Sequence, residues 1–163
     1  MDSTLHQRVL VVDDDPVITD LMVRKLAVDG FHAVGACRAE EARKFVAEGM
    51  AAGEEGELQP VDVVLLDIEM PDANGLDLLK EIRRQKTAIE LPVIMVTGRD
   101  STEDVVAALE LAANDYVTKP VDFPVLMARI RTHAALKALH EQVRNSHRSL
   151  IHAAKMESVV HLV

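Results

Sequence analysis

The sequence predicts an α/β fold, a doubly wound sheet of five parallel strands with helices on both faces. Three observations predict it. Short apolar runs rich in β-branched residues alternate with amphipathic stretches, the pattern of βαβ units. Two of those runs, VDVVLL and PVIMV, are apolar without alternation, as strands buried on both faces are. Chemically active residues gather just after the runs, at the carboxyl ends of strands, where open parallel sheets bind ligands.

The first strand spans residues 8–12. A helix follows over 16–28, with Asp15 as its N-cap, Pro16 in its first turn and Gly30 as its stop. A second strand over 31–36 leads to a helix over 39–50. The polar, acidic segment AAGEEGELQP, residues 51–60, reads as a lengthened and mobile loop. The third strand, 61–66, precedes a helix over 76–85, and the fourth, 92–96, precedes a helix over 102–112. A fifth strand covers 115–118. The tail holds no Gly and, after Pro124, no Pro, so it reads as one long helix beginning near Asp122. Residues 1–135 thus form a globular domain and 136–163 a helical extension.

Charge changes along the chain. The whole carries −9, but residues 1–121 carry −12 and residues 122–163 carry +3. An acidic domain is not expected to take nucleic acid as its partner, because a polyanion is met by a basic face. The four aromatics, Phe31, Phe45, Tyr116 and Phe123, are too few for a base-stacking platform. A single cysteine, Cys37, allows no internal disulfide and fits a reducing cytosol. The start MDSTLHQRVL lacks the charged and apolar segments of a signal peptide, and no apolar stretch approaches membrane-spanning length. The expectation is a cytoplasmic protein with no membrane partner.

The strand ends carry the chemistry. VLVVDDDP places Asp13, Asp14 and Asp15 after the first strand. At roughly 5 Å and an effective dielectric of about 20, each close pair of such charges costs ~3 kcal/mol. Asp67 ends the third strand in VVLLDIEMPDANG, Thr97 the fourth in VIMVTG, and Lys119 the fifth in DYVTKP. The second strand ends near Cys37 and Arg38 with no comparable group. Clustered carboxylates are tolerated around a hard cation, and Mg²⁺ favours a few carboxylate oxygens with waters and phosphate oxygens. Thr97 would donate to a phosphoryl oxygen and Lys119 would neutralise another. A carboxylate beside a bound metal can attack phosphorus and form an aspartyl phosphate. The set points to phosphoryl transfer onto an aspartate.

With these motifs, residues 7–135 resemble the receiver domains of two-component response regulators, which have a flavodoxin-like (βα)5 fold. The resemblance implies that Asp67 is the phosphoacceptor, Asp14 a direct Mg²⁺ ligand and Asp13 a ligand through water, with Glu69 lending its backbone carbonyl. It implies that Thr97 and Lys119 bind the phosphoryl group, that Tyr116 changes rotamer on activation, and that the Lys119–Pro120 bond is cis. It implies a sensor histidine kinase or phosphotransfer protein as donor, and no catalysis beyond the chain's own phosphorylation and dephosphorylation. The loop Met70-Pro71-Asp72-Ala73-Asn74-Gly75 keeps the family's Pro and its structural Gly75. Gly98 stands where the family usually has Ala or Ser, which makes the site roomier, and Ala112-Ala113 replaces the usual Gly-Ala. Glu69 and Arg99 flank the entry to the aspartate and are expected to pair across it, slowing attack by water.

The extension has its own pattern. Leu136, Leu139, Val143, Ser146, Leu150 and Ala153 follow steps of three and four, a coiled-coil seam with one polar break. Met156, Val160 and Val163 continue it in a shifted register past Glu157. The expectation is a parallel homodimer. His133, His140 and His147 lie seven apart on one flank, read as a solvated face against the alternative of a metal- or pH-sensing stripe. The stretch from Ala154 to Leu162 resembles the opening of a histidine-kinase dimerisation helix, with His161 not matching the phosphorylated position. A second functional reading comes from Asp13-Asp14-Asp15-Pro16-Val17, which fits the first motif of haloacid-dehalogenase-type phosphatases and would make Asp13 the nucleophile.

Overall fold

The computed structural model describes residues 7–51 and 56–161, with side chains described through residue 156. In chain order the elements are β1 (Arg8–Val12), α1 (Pro16–Val28), β2 (His32–Ala36), α2 (Ala39–Glu48), β3 (Met50–Ala51), β4 (Leu58–Gln59), β5 (Val63–Leu66), α3 (Gly75–Gln85), β6 (Val93–Thr97), α4 (Thr102–Glu110), β7 (Asp115–Thr118) and α5 (Phe123–His161). Among the described residues, one parallel sheet runs β2-β1-β5-β6-β7. The order reverses between β1 and β5, which opens a crevice at their carboxyl ends.

Alternation within the central strands sends side chains to two separate cores. Leu10, Val12, Val64, Leu66 and Met95 pack with Leu78, Leu79 and Ile82 of α3 and Ala108 of α4. Val9, Val11, Val63, Leu65 and Ile94 pack with Met22 and Leu26 of α1 and Leu126 and Ile130 of α5. β5 and β6 are therefore buried on both faces, as their unbroken apolar runs require, and so are residues 9–12 of β1.

Several helix ends move from their expected places, each for a local reason. α2 stops at Glu48 rather than at residue 50, because Gly49 turns into a positive φ of 93° and Met50 starts a strand. α4 stops at Glu110 because Ala112 takes a left-handed φ of 66°. α3 starts one residue early, at Gly75. The loop expected over 51–60 is tied at its base, where Met50–Ala51 pairs antiparallel with Leu58–Gln59. Residues 52–55 of that loop lie outside the described residues.

α5 continues past residues 135 and 136 without a break. Its last buried residues, among those described, are Ala134 and Lys137. Leu136 between them, and Leu139, Val143 and Leu150 beyond, are 56–70% exposed. Of the expected continuation of the seam, Met156 is exposed, while Val160 and Val163, with the Glu157 and His161 side chains, lie outside the described side chains. No described helix is long and apolar enough to cross a membrane.

Candidate functional site

Backbone hydrogen bonds bring four strand ends to one level. The Asp13 N–H donates to the Ala36 carbonyl at 3.1 Å, Asp67 N–H to Val12 at 2.9 Å, and Lys119 N–H to Thr97 at 2.9 Å. Asp13, Asp67 and Thr97 are buried, Lys119 is half-buried, and Asp14 is exposed at the rim.

The turn after β1 is built by its own side chains. Asp15 caps α1, its carboxylate accepting from Val17 N–H at 2.9 Å. The Asp13 carboxylate accepts from Asp15 N–H at 2.9 Å, and the Thr19 hydroxyl donates to the carbonyls of Asp13 and Asp15 at 3.1 and 2.9 Å. These bonds hold Asp13 and Asp14 toward the crevice and keep Asp15 as a cap.

Lys119 answers the carboxylate repulsion. Its ammonium donates to Asp13 at 2.5 Å and to Asp67 at 2.9 Å. Burial pulls the Lys119 pKa down, but the two carboxylates outweigh burial and hold it above its ordinary value. For Asp13, burial pushes the carboxyl above the usual range, against the opposing hydrogen bonds from Lys119 and Asp15. Asp13, Asp14 and Asp67 each offer a carboxylate oxygen, and these atoms lie within 4.8 Å of one another. Three hard oxygen donors at that spacing suit Mg²⁺ chemically.

Across the crevice a short relay begins at Thr97. Its hydroxyl accepts from Arg99 N–H at 3.3 Å, and the Tyr116 hydroxyl donates to the Arg99 carbonyl. Thr97 and Tyr116 are thus joined through one peptide residue. The Arg99 side chain is engaged elsewhere: it pairs with Asp104 at 3.1 Å, and Asp104 also takes the Ser101 hydroxyl at 2.8 Å. This corrects the expected Glu69–Arg99 pair. Glu69 is exposed, and its N–H donates to the Asp67 carboxylate at 3.2 Å.

Gly75 and Pro120 sit as expected. A Cβ on Gly75 would lie 2.0 Å from the Asp67 carbonyl oxygen, so α3 approaches the end of β5 only through a glycine. Lys119–Pro120 is cis. A Cβ on Gly98 would meet nothing within 4 Å, so this position borders open space.

Sequence reasoning passed over Asp72. Its carboxylate accepts from Ala39 and Glu40 N–H at 2.9 and 3.1 Å, capping α2 from the loop after Asp67. The N-cap position itself holds Arg38, which makes no side-chain cap. That unsuitable cap residue was the available signal, but it does not say which remote carboxylate replaces it. Of the three histidines, His133 lies 3.4 Å from Asp115 and is half-buried, while His140 and His147 are exposed.

A model of the response regulator receiver domain matches residues 9–131. The transcriptional regulatory protein AruR of Pseudomonas aeruginosa is 41% identical over 124 residues, covering 76% of this chain and 48% of that protein. The transcriptional regulatory protein CpxR of Escherichia coli is 38% identical over 141 residues, covering 85% of this chain and 54% of that protein. The chain therefore spans about half the length of these curated relatives. A CheY-like receiver domain protein from Methanospirillum hungatei superposes with a TM-score of 0.70 at 28% identity, covering 82% of this chain and 98% of that one. The response regulator TrrA of Thermotoga maritima, solved in complex with Mg²⁺-BeF, gives 0.63 at 32% identity, over 78% of this chain and 98% of that one. The phosphatase reading with Asp13 as nucleophile finds no support among these relatives.

Proposed function

This chain belongs to the response regulator receiver domain family, and on that premise we propose that Asp67 accepts a phosphoryl group from a phosphohistidine. The donor is a sensor histidine kinase or a phosphotransfer protein, and the reaction depends on Mg²⁺. The observation that carries this reading is the placement of Asp67: buried at the end of the strand beside the topological switch, 2.9 Å from an ammonium and grouped with two further carboxylates.

An Asp67 carboxylate oxygen forms the new bond to phosphorus. The P–N bond to the donor imidazole breaks, and its electron pair returns to the ring nitrogen. Asp13, Asp14, Asp67 and the Glu69 carbonyl would hold Mg²⁺, which when bound neutralises charge on the phosphoryl oxygens. Lys119 already neutralises the pocket and would turn one donor to the incoming group. The Thr97 hydroxyl would donate to another phosphoryl oxygen. Turning the hydroxyl toward that oxygen shifts the atom that accepts from Arg99 N–H and so reaches Tyr116 through the Arg99 carbonyl. A two-state shift of the surface made by α4 and β7 follows, biased by phosphorylation. The protein catalyses only its own phosphorylation and dephosphorylation.

Incubation with a small phosphodonor and Mg²⁺ is expected to add one acid-stable, base-labile phosphate, and Asp67→Asn is expected to abolish it. A variant that keeps the label would overturn the assignment.

Residues 1–135 act as the receiver and 136–163 as an arm that pairs with a second copy in the cytoplasm, with no nucleic acid or membrane contact by this chain. The exposed stripe Leu136, Leu139, Val143 and Leu150 supports the pairing, since an isolated helix of this length is marginal in water. Light scattering at tens of micromolar is expected to show a dimer, and Val143→Glu with Leu150→Glu a monomer. A monomeric wild type would refute the pairing.

A further inference from the structure

Lys137 is a buried ammonium that phosphoryl chemistry does not use. It is 8% exposed and sits on α5 in line with Leu126, Ile130 and Ala134, the residues that seat the helix on the domain. A lone lysine at that depth needs partners. It donates to Asp62 at 3.0 Å and to the Val61 carbonyl at 3.3 Å, with Glu141 at 3.9 Å.

Asp62 is itself fixed. Its N–H donates to the Arg8 carbonyl at 2.8 Å, and its carboxylate accepts from Arg8 N–H at 2.8 Å, beside the Arg8 guanidinium at 3.5 Å. Asp62 immediately precedes β5, and Asp67 immediately follows it. One strand thus carries the acceptor aspartate at one end and the lysine's partner at the other, roughly 17 Å apart at extended-chain rise.

Lys137 is also the last buried residue of α5 among those described. At about 100° per residue, the stripe through Leu136, Leu139, Val143 and Leu150 lies on the far side of the helix from the line through Leu126, Ile130, Ala134 and Lys137. The domain-facing side and the seam are therefore opposite, and whatever fixes one fixes the other.

We propose that Lys137 and Asp62 form a clasp that sets the tilt at which the exposed half of α5 leaves the domain, referencing it to the strand that carries Asp67. The clasp is a positioning device. Without it α5 keeps the apolar contacts up to Ala134 and the pairs of Arg129 and His133 with Asp115 and of Arg131 with Asp29, all at or before residue 134, and the outgoing half swings. The inference rests on the proposed function only for its meaning, namely that the surface being aimed is a dimer seam.

The test is an intrachain distance. Spin labels are placed on Lys44→Cys and Arg148→Cys, both at exposed positions, in a Cys37→Ser background, and the labelled chain is diluted with unlabelled chain. The otherwise unaltered clasp is expected to give a single narrow distance by pulsed electron resonance. Lys137→Met, which keeps the apolar stem and loses the charge, is expected to broaden or displace it. Asp62→Asn is expected to do the same, and the double variant to add nothing further. A single variant that folds and keeps the narrow original distance overturns the clasp, and Asp62→Asn serves if Lys137→Met does not fold. No phosphodonor is present, so a failure of Asp67 as acceptor leaves this result unchanged and the two failures stay distinguishable.

Discussion

Replacing Lys119 with Met removes the ammonium that sits between Asp13 and Asp67. The ammonium lies 2.5 and 2.9 Å from two carboxylates that are 3% and 6% exposed. With it gone, carboxylate oxygens within 4.8 Å face one another uncompensated. At that separation and an effective dielectric of about 20, one charge pair costs ~3 kcal/mol. That matches the lower end of what breaking a buried ion pair costs, about 3–5 kcal/mol. The lower end is appropriate because Lys119 itself keeps some contact with water, at 21% exposed. The metal-free variant is therefore expected to be ~3 kcal/mol less stable, read as a lower urea midpoint by circular dichroism. Mg²⁺ no longer has to displace an ammonium from the variant, so saturating Mg²⁺ is expected to restore more stability there than in the wild type. If the whole repulsion is relieved, the affinity gain approaches 100-fold, from about 1.4 kcal/mol per factor of ten. Equal stabilisation of both proteins by Mg²⁺, or a metal-free variant as stable as the wild type, would refute the argument.

Arg83 donates at 2.8–2.9 Å to the carbonyls of Leu91 and Ala112 and to the Asn114 side chain, so Arg83→Met is expected to lose ~2 kcal/mol in urea unfolding, three hydrogen bonds less the cost of burying a cation. That burial already pulls its pKa below the usual value, and an unchanged midpoint would show that the carbonyls find water instead. Asp72 is held below the usual carboxylate pKa by the Ala39 N–H first, then by Glu40 N–H. Its contribution is full above the unfolded pKa of about 4 and fades as pH falls through the lower folded value, so Asp72→Asn is expected to flatten the acid side of the stability profile. A variant profile with the same acid slope would remove Asp72 from the cap.

The fold was legible because both period and chemistry repeat along this chain. Unbroken apolar runs marked β5 and β6, and Asp15-Pro16 marked the start of α1 to the residue. The site was legible because its groups follow strands, and topology alone brings strand ends together. What escaped depends on distances that sequence order conceals. The β3–β4 pair is two residues a side, too short to show a period. Asp72 caps a helix that begins 33 residues earlier, and Lys137 meets Asp62 across 75 residues. Arg99 was matched with the wrong acid because Asp104, five residues on, is brought to it by the first turn of α4.

The sheet divides the interior into two chambers that share only backbone. Residues from α2, α3 and α4 fill one, and those from α1 and α5 fill the other. Side chains on opposite faces of a strand have few common neighbours, so volume changes in one chamber are largely unfelt in the other. Substitutions can then accumulate beneath α1 and α5, retuning the helix that leaves the domain, while the packing behind the α3 and α4 face stays as it was. Such a partition lets a lineage alter what the domain is attached to without rebuilding the half that supports its acidic rim.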